Sequence, residues 1–293
     1  MTPRWSGEWA LEVPGEEPAV DVLIPSFGRP AELAVTLSGL AAQEGVPFRV
    51  IVSDQTEGEA ASFVQPAVRA MLRVLEAQGH PVRLERHLPR RGLAEHRNYL
   101  LGLATAPFVL FLDNDVWLEP GSLDRMSRAL RAAGCGFVGS AVQGLSYLGD
   151  RRPHERTELR LWPDNEVLPE RIRRGTEGFA RWPLHNAANL AHAAVELAIP
   201  PGEWRLYRVA WVGGCVLFDR DALVECGGFD FWDRLPPGHA GEDVAAQWRV
   251  MERYGGAGLL PSGAVHLEAE TTLPVRDVDA FDVLFDAEQE HTG

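Results

Sequence analysis

Cysteine is scarce: Cys135, Cys215 and Cys226 are the only three, too few and too scattered for a disulfide framework or a CxxC metal site. No apolar run approaches the ~20 residues that span a bilayer. The opening stretch, MTPRWSGEWALEVPGEEPAV, lacks the apolar core of a signal peptide. Lysine is missing altogether. All 28 basic residues are arginine, which with the many alanines reads as codon bias and carries no mechanism. Basic charge is also in deficit, since 42 acidic residues bring the net charge to −14. That excludes a general nucleic-acid binder, whose affinity depends on neutralising phosphates. Internal repeats and low-complexity linkers are absent as well. The expectation is a reduced, cytoplasmic protein without a transmembrane segment.

What is present is an ordinary globular composition, 45% apolar and 24% charged over 293 residues, enough for one large α/β domain or two smaller ones. Residues 1–18 are polar and Pro/Gly-rich and read as a surface arm. Val20 to Ile24 is a nearly continuous apolar run, as a strand covered on both faces requires. A turn cluster, Pro25 to Pro30, follows it. Leu33, Leu37, Leu40 and Ala41 then recur with helical spacing. Arg49 to Asp54 reads as a second strand. Val64, Val68, Met71, Leu72 and Leu75 mark a second helix, with Gly79 as its stop. Val82 to Arg86, a helix over Leu93 to Ala104 and the strand Phe108 to Leu112 complete a β-α-β-α-β-α-β rhythm, the pattern of a parallel sheet.

The second half is less regular. A helix over Leu123, Met126 and Leu130 ends at Gly134, and a strand-like GFVGSAV starts at Gly136. Residues 145–207 show no clear period. Strand and helix signals return over Arg208–Phe229, continue as a helix from about Glu242 to Tyr254, and end in an apolar strand reaching His266. Val278, Phe281, Leu284 and Phe285 in the acidic tail, 271–293, point to a helix that docks on the body.

Five features carry chemistry. Asp113-Asn114-Asp115 follows an apolar strand, where ligands collect outside the carboxyl ends of a parallel sheet. Two carboxylates there suit a divalent cation with oxygen ligands, or they form Asx turns. Asp54, after the second strand, is placed to accept from a base imide or a ribose hydroxyl, or to form a turn. Arg97 shares a helical face with Leu93, Leu100, Leu101 and Ala104, so a guanidinium lies on the stripe that should be buried. It needs a carboxylate or a phosphate partner, and one arginine can serve both structure and site. Glu242-Asp243 opens a helix, where the dipole favours ionised carboxylates and a general base or a cap can stand. His266, at the last strand's end, is either a further metal ligand or an ordinary polar residue.

The order of these features resembles the family 2 glycosyltransferases, inverting enzymes of the GT-A fold. VLIPSFGRP (Val22–Pro30) is similar to the family's first strand and turn, and VSDQT (Val52–Thr56) to its base-contacting segment. GLAEHRNYLLGLATAPFVLFLDND (Gly92–Asp115) resembles its helix-strand-DxD block. WVGGCVLFDRDALVECGGFD (Trp211–Asp230) is similar to the donor-sugar and acceptor loop, GEDVAAQWR (Gly241–Arg249) to the block with the catalytic base, and VHLE (Val265–Glu268) to the late metal-binding histidine.

The resemblance implies a nucleotide-diphospho-sugar transferase fold, α/β, with a Rossmann-like, mixed but mostly parallel central sheet flanked by helices. It implies one catalytic domain over 19–270, with a nucleotide half at 19–115 and an acceptor half at 116–270. It places Asp54 at the nucleobase, and Pro25, Ser26, Phe27, Arg29, Arg97, Asp113, Asn114, Gly213 and Gly214 around the donor. Asp115, Asp113 and His266 would hold Mn²⁺ or Mg²⁺. Asp243 would be the general base, with Glu242 beside it. Departures are Gln55, where a small or acidic residue is commoner, and the two arginines of HLPRRG (His87–Gly92).

The implied reaction moves a sugar from a nucleoside-diphosphate sugar to the hydroxyl of a saccharide or lipid-linked acceptor. A UDP-sugar is favoured over GDP- and dTDP-sugars. QxxRW is absent, which points to a non-processive enzyme, cytoplasmic or peripheral to the inner face of the membrane. The rival readings are a sugar-nucleotide pyrophosphorylase, against which stands the lack of a Gly-rich phosphate loop, and a non-catalytic carbohydrate-binding protein. Seven arginines between Arg151 and Arg174 either bind an anionic acceptor or donor, or form a solvated loop paired with Glu155, Glu158 and Glu170. The sugar, the acceptor linkage and the oligomeric state are not encoded in these motifs.

Overall fold

A computed structural model describes residues 4–11, 16–185, 187–272 and 276–285. Its first half alternates as the hydrophobic pattern requires: β1 (Val20–Ser26), α1 (Pro30–Ala41), β2 (Phe48–Asp54), α2 (Pro66–Gln78), β3 (Val82–Arg86), α3 (Leu93–Leu103) and β4 (Phe108–Leu112). Proline opens both α1 and α2, at positions whose missing N–H costs no intrahelical bond. Val64, expected inside the second helix, lies in a short 3₁₀ turn before it. Gly79 closes α2 at φ 95°, a left-handed conformation that suits glycine.

The second half begins with β5 (Val116–Leu118), α4 (Ser122–Ala133), β6 (Phe137–Gly139) and β7 (Gln143–Gly144). Short 3₁₀ turns then lead to α5 (Ala187–Glu196), β8 (Arg205–Tyr207), β9 (Cys215–Asp219), α6 (Arg220–Glu225) and β10 (His239–Ala240). After them come α7 (Glu242–Tyr254), β11 (Gly256–Leu260), β12 (Ala264–His266), β13 (Val278–Asp279) and α8 (Ala280–Phe285). The single strand expected to reach His266 is two. β11 joins the main sheet, and β12 turns away into a small one.

The main sheet has eight strands in the order β3-β2-β1-β4-β9-β6-β11-β8. The run from β3 to β4 is parallel, as is β6 with β11, whereas β9 and β8 run antiparallel to their neighbours. The chain steps outward from β1 through β2 to β3 and then crosses back by α3 to β4 on the other side of β1, so a crevice opens beyond the carboxyl ends of β1 and β4. A three-stranded sheet, β5-β12-β7, sits at that end and pairs His266 with Val116. The tail is stitched to the body: β13 pairs with β10, and α8 sets Phe281 and Phe285 5.1 and 5.7 Å from the Trp248 ring. Residues 273–275 and 286–293 of the expected tail, and 1–3 and 12–15 of the expected arm, lie outside the described residues.

Alternation along each strand explains the near-continuous apolar runs. Val20, Val22 and Ile24 pack with α1, α2 and α4 on one face, while Leu23, Ile51 and Phe111 pack with α3 and α7 on the other. Both faces are therefore dry. The exception in β1 is Asp21, fully buried, which accepts from Arg49 Nε and Nη2 at 2.8 and 2.7 Å and from the Thr105 and Ala106 N–H groups. It ties β2 and the loop before β4 to the central strand. Asp21→Ala leaves those amides without an acceptor at ~1–3 kcal/mol each, and the partly exposed Arg49 adds little. Chemical denaturation is expected to show a loss of roughly 2–6 kcal/mol, and Asp21→Asn a smaller one.

Candidate active site

Beyond the carboxyl ends of β1 and β4 lies a cleft of about 750 Å³. Its walls come from the β1–α1 turn, the start of α3, the residues after β4, the Gly213-Gly214 pair, the start of α7 and the segment after β12. Of the residues singled out in the sequence, the cleft gathers Pro25, Ser26, Phe27, Arg29, Arg97, Asp113, Asn114, Asp115, Gly213, Gly214, Glu242, Asp243 and His266. Asp54 alone stays behind the wall.

Arg97 is the hub. Its buried guanidinium donates from Nη2 to Asp113 Oδ1 at 3.0 Å and from Nε to Glu242 Oε1 at 3.1 Å. Burial by itself would lower its pKa, but Asp113, Glu242 and Asp243 outweigh burial and the net shift is upward. The two alternatives left open for Arg97 thus coincide: the ion pairs that satisfy it also build the cleft. Asp113 keeps an exposed edge, while its N–H donates to the Gly214 carbonyl at 2.9 Å. Gly214 has φ 74°, and a Cβ there would press on Val142 at 3.0 Å, so glycine is needed for this approach.

Asp115 and His266 meet across the small sheet, with His266 Nε2 3.5 Å from Asp115 Oδ2. The same oxygen accepts from Arg29 Nη1 at 2.5 Å. Burial and the nearby Asp113 push the Asp115 carboxyl up, against the opposing pull of Arg29 and His266. Among the described residues no set of three His, Cys, Asp or Glu side chains closes a metal cage. An open pair fits Mg²⁺ or Mn²⁺ all the same, because such ions are held by one or two protein ligands together with substrate phosphates. Asp115 and His266 have the right donor types and converge. Asp113, also expected as a ligand, turns one oxygen to Arg97 instead.

At the other end, Phe27 lies under the Arg90 guanidinium, 3.5 Å from its ring centroid. Asn114 Nδ2 donates to Ser26 Oγ at 3.2 Å and locks the ends of β1 and β4 together. Asp54 accepts from the Thr56 N–H and hydroxyl and from the Ser62 N–H. Both its oxygens therefore pin the 56–62 loop, which is the turn alternative. Gln55 is the residue that reaches the cleft. It is buried, and its Nε2 has no hydrogen-bond partner among the described residues.

Glu242 and Asp243 divide their roles by direction. Glu242 is buried on Arg97, and burial raises its pKa against that pairing. Asp243 keeps part of its surface open to the cleft, although protein encloses it at longer range. Burial first, and the neighbouring Glu242 second, push its carboxyl up to about 7. The helix dipole expected to keep it ionised is outweighed, because desolvation of a charge exceeds a dipole's contribution.

His239 went unread in the sequence. Its Nε2 accepts from the Ala94 N–H at 3.0 Å and its Nδ1 donates to the Pro236 carbonyl at 2.7 Å, so it caps the start of α3 from across the cleft. Burial lowers its pKa and keeps it a neutral acceptor. Gly92, at φ 111°, makes room for it, since a Cβ would stand 2.6 Å from the ring. The partner lies 145 residues away, so no local pattern carries this signal.

The arginines of 151–174 are absorbed by acids. Arg151 and Arg156 meet Glu196, Arg152 meets Asp150 and Glu155, Arg160 meets Glu158, Arg171 and Arg173 meet Glu252, and Arg174 meets Asp279 and Asp282. This is the paired-surface alternative, although Glu170, expected to share in it, binds Arg181.

Residues 21–195 match the family model Glycosyl transferase family 2. A curated relative, an uncharacterised protein of Mycobacterium tuberculosis (strain CDC 1551 / Oshkosh), is 29% identical over 234 residues, 75% of this chain and 62% of its own. The chain thus spans less than two thirds of that relative's length. Among solved structures, the mannosyltransferase PcManGT from Pyrobaculum calidifontis, in complex with GDP-Man and Mn²⁺, has a TM-score of 0.56 at 17% identity, over 91% of this chain and 64% of that one. S. aureus TarS 1–349 with UDP-GlcNAc has a TM-score of 0.51 at 11% identity, over 87% and 60%. At such identities the likeness is one of fold, and the expected GT-A architecture is borne out. Among the described residues no helix is long and apolar enough to cross a membrane.

The hub can be tested by stability. Arg97→Met strands Glu242 as a buried, unpaired carboxylate and is expected to cost about 3–5 kcal/mol. Arg97→Lys should not rescue it, because one ammonium does not reproduce donors at Nε and Nη2. Adding Glu242→Gln to Arg97→Met should recover part of the loss in a double-mutant cycle of thermal unfolding.

Proposed function

The chain belongs to glycosyl transferase family 2, and from that premise we propose that it moves a sugar from a nucleoside-diphosphate sugar to an acceptor hydroxyl with inversion, one or a few sugars at a time. One observation carries the reading. Asp115 with His266, and Asp243, line a single cleft at the sheet's switch point, and Arg97 pairs with their neighbours Asp113 and Glu242.

Asp115 and His266 are the residues that would hold Mn²⁺ or Mg²⁺, whose chemistry is to neutralise charge developing on a departing diphosphate. The PcManGT complex with GDP-Man and Mn²⁺ supports that assignment by fold analogy. The β1–α1 turn offers Phe27 as an aromatic face, and Gln55 offers an unpartnered amide donor for a base carbonyl. UDP-sugars remain favoured, with GDP- and dTDP-sugars as alternatives. Asp243 takes the proton from the acceptor hydroxyl as that oxygen attacks the anomeric carbon. A carboxylate with a pKa of about 7 is well matched to this role at neutral pH. One displacement inverts the anomeric centre. Arg97 positions Asp113 toward the donor side and holds Glu242 away from chemistry. A saccharide or lipid-linked acceptor and a cytoplasmic location, peripheral to the membrane's inner face, belong to the same proposal.

The metal and the base are tested separately. Titration calorimetry of UDP and GDP is expected to show binding with Mn²⁺ that is lost in EDTA and in Asp115→Ala; unchanged affinity in EDTA rules out the metal role. For the base, kcat/KM should rise about tenfold per pH unit below about 7 and level off above it. Asp243→Asn should lower turnover by ~10²–10⁴ with donor affinity little changed. Stability carries the opposite sign. Folded Asp243 keeps its proton up to about 7, while the unfolded chain releases it near 3.8, so stability falls as pH rises between these values. The Asn variant should lack that slope.

A further inference from the structure

We propose that Arg29 is a tethered cation that competes with the divalent metal for Oδ2 of Asp115, so that metal and nucleoside diphosphate bind as a coupled pair. This rests on the metal-dependent reading above and concerns a residue whose part in it is otherwise only to line the cleft.

The competition follows from one oxygen. His266 Nε2 approaches Asp115 at Oδ2, 3.5 Å away, so Oδ2 is the oxygen that a cation held by both side chains would use. Arg29 Nη1 already donates to that oxygen at 2.5 Å. The Asp115 side chain is only 4% exposed, so water screens the site poorly. A guanidinium and a divalent ion cannot both sit on it without strong repulsion.

Arg29 also reaches the segment after β12, where Nη2 donates to the Glu270 carbonyl. That segment supplies Ala269, Thr271 and Thr272 to the cleft wall. A second contact holds the same segment, as the Glu268 N–H donates to His266 Nδ1 at 2.9 Å. Glu268 stands at φ 58°, a conformation uncommon for this residue type, and is anchored by Ser146, whose hydroxyl and N–H donate to its carboxylate. Arg29 and His266 thus both hold the segment after β12, through Glu270 and Glu268 respectively.

A diphosphate resolves the conflict. Its oxygens match a guanidinium's fork, giving Arg29 a partner inside the same cleft when it leaves Asp115. Metal binding is then hindered by Arg29 in the protein alone and relieved by nucleotide. By linkage, nucleotide binding is strengthened by metal to the same extent.

The test measures Mn²⁺ affinity of the full chain from the electron paramagnetic resonance signal of free Mn²⁺, with and without UDP or GDP. Without nucleotide, Arg29→Gln is expected to bind Mn²⁺ about tenfold more tightly than wild type, within the range of typical coupling factors. Arg29→Lys keeps a cation without spanning both Asp115 and Glu270, so it should fall between them and guards against misfolding of the first variant. With nucleotide the difference should shrink. Hydrogen exchange at residues 268–272 should be faster in Arg29→Gln than in wild type, whatever the metal. Equal Mn²⁺ affinities in all three proteins, or weaker binding by Arg29→Gln, overturn the proposal while leaving the metal role standing. Failure of every protein to bind Mn²⁺ even with nucleotide overturns both. Donor hydrolysis reports separately on glycosyl transfer.

Discussion

The Arg97 guanidinium lies under the cleft between two carboxylates that the chain brings from far apart, Asp113 after β4 and Glu242 at the start of α7. Each donor is matched to a different acid, so the charge is satisfied only when both elements are in place. Removing a fork of this kind from water is costly, and only such complete pairing offsets the cost. The segment after β4 and the start of α7 are thereby both tied to α3 through one side chain. Asp113, Asp115 and Asp243 inherit their positions from it.

The cleft is acidic by composition but not by accounting of neighbours. Arg97 takes Glu242 and part of Asp113, and Arg29 takes Asp115. Asp243 is left with a backbone amide as its partner, the Val244 N–H. It is the carboxyl whose environment moves it up to about 7, because burial and Glu242 act in the same direction there. Two adjacent acids of one helix turn thus differ in environment through which of them the arginine reaches. Arg90, stacked on Phe27, and the open amide of Gln55 face the same space from the β2 and β3 ends.

The walls are held by contacts that ignore chain order. His239 caps α3 from the loop before α7, and β13 and α8 bind the tail to β10 and Trp248. The arginines of 151–174 sit in ion pairs, several of them exposed and so contributing little stability each.

The sequence by itself determined the alternating strands and helices of the first half, since a strand dry on both faces must be apolar throughout and a helix on it must carry a period-3.6 stripe. It determined the order of the chemical blocks, and through them the family. It showed that Arg97 must be paired. Only the tertiary structure decided with which acids, because both partners lie outside any local window and Glu242 is 145 residues away. It also split the last strand at Pro261–Gly263, which swings β12 onto β5 and puts His266 beside Asp115. Asp54 and Gln55 show the limit most directly. Adjacent residues of a strand end face opposite ways, so one anchors a loop and the other opens on the cleft, and register, not residue type, settles which.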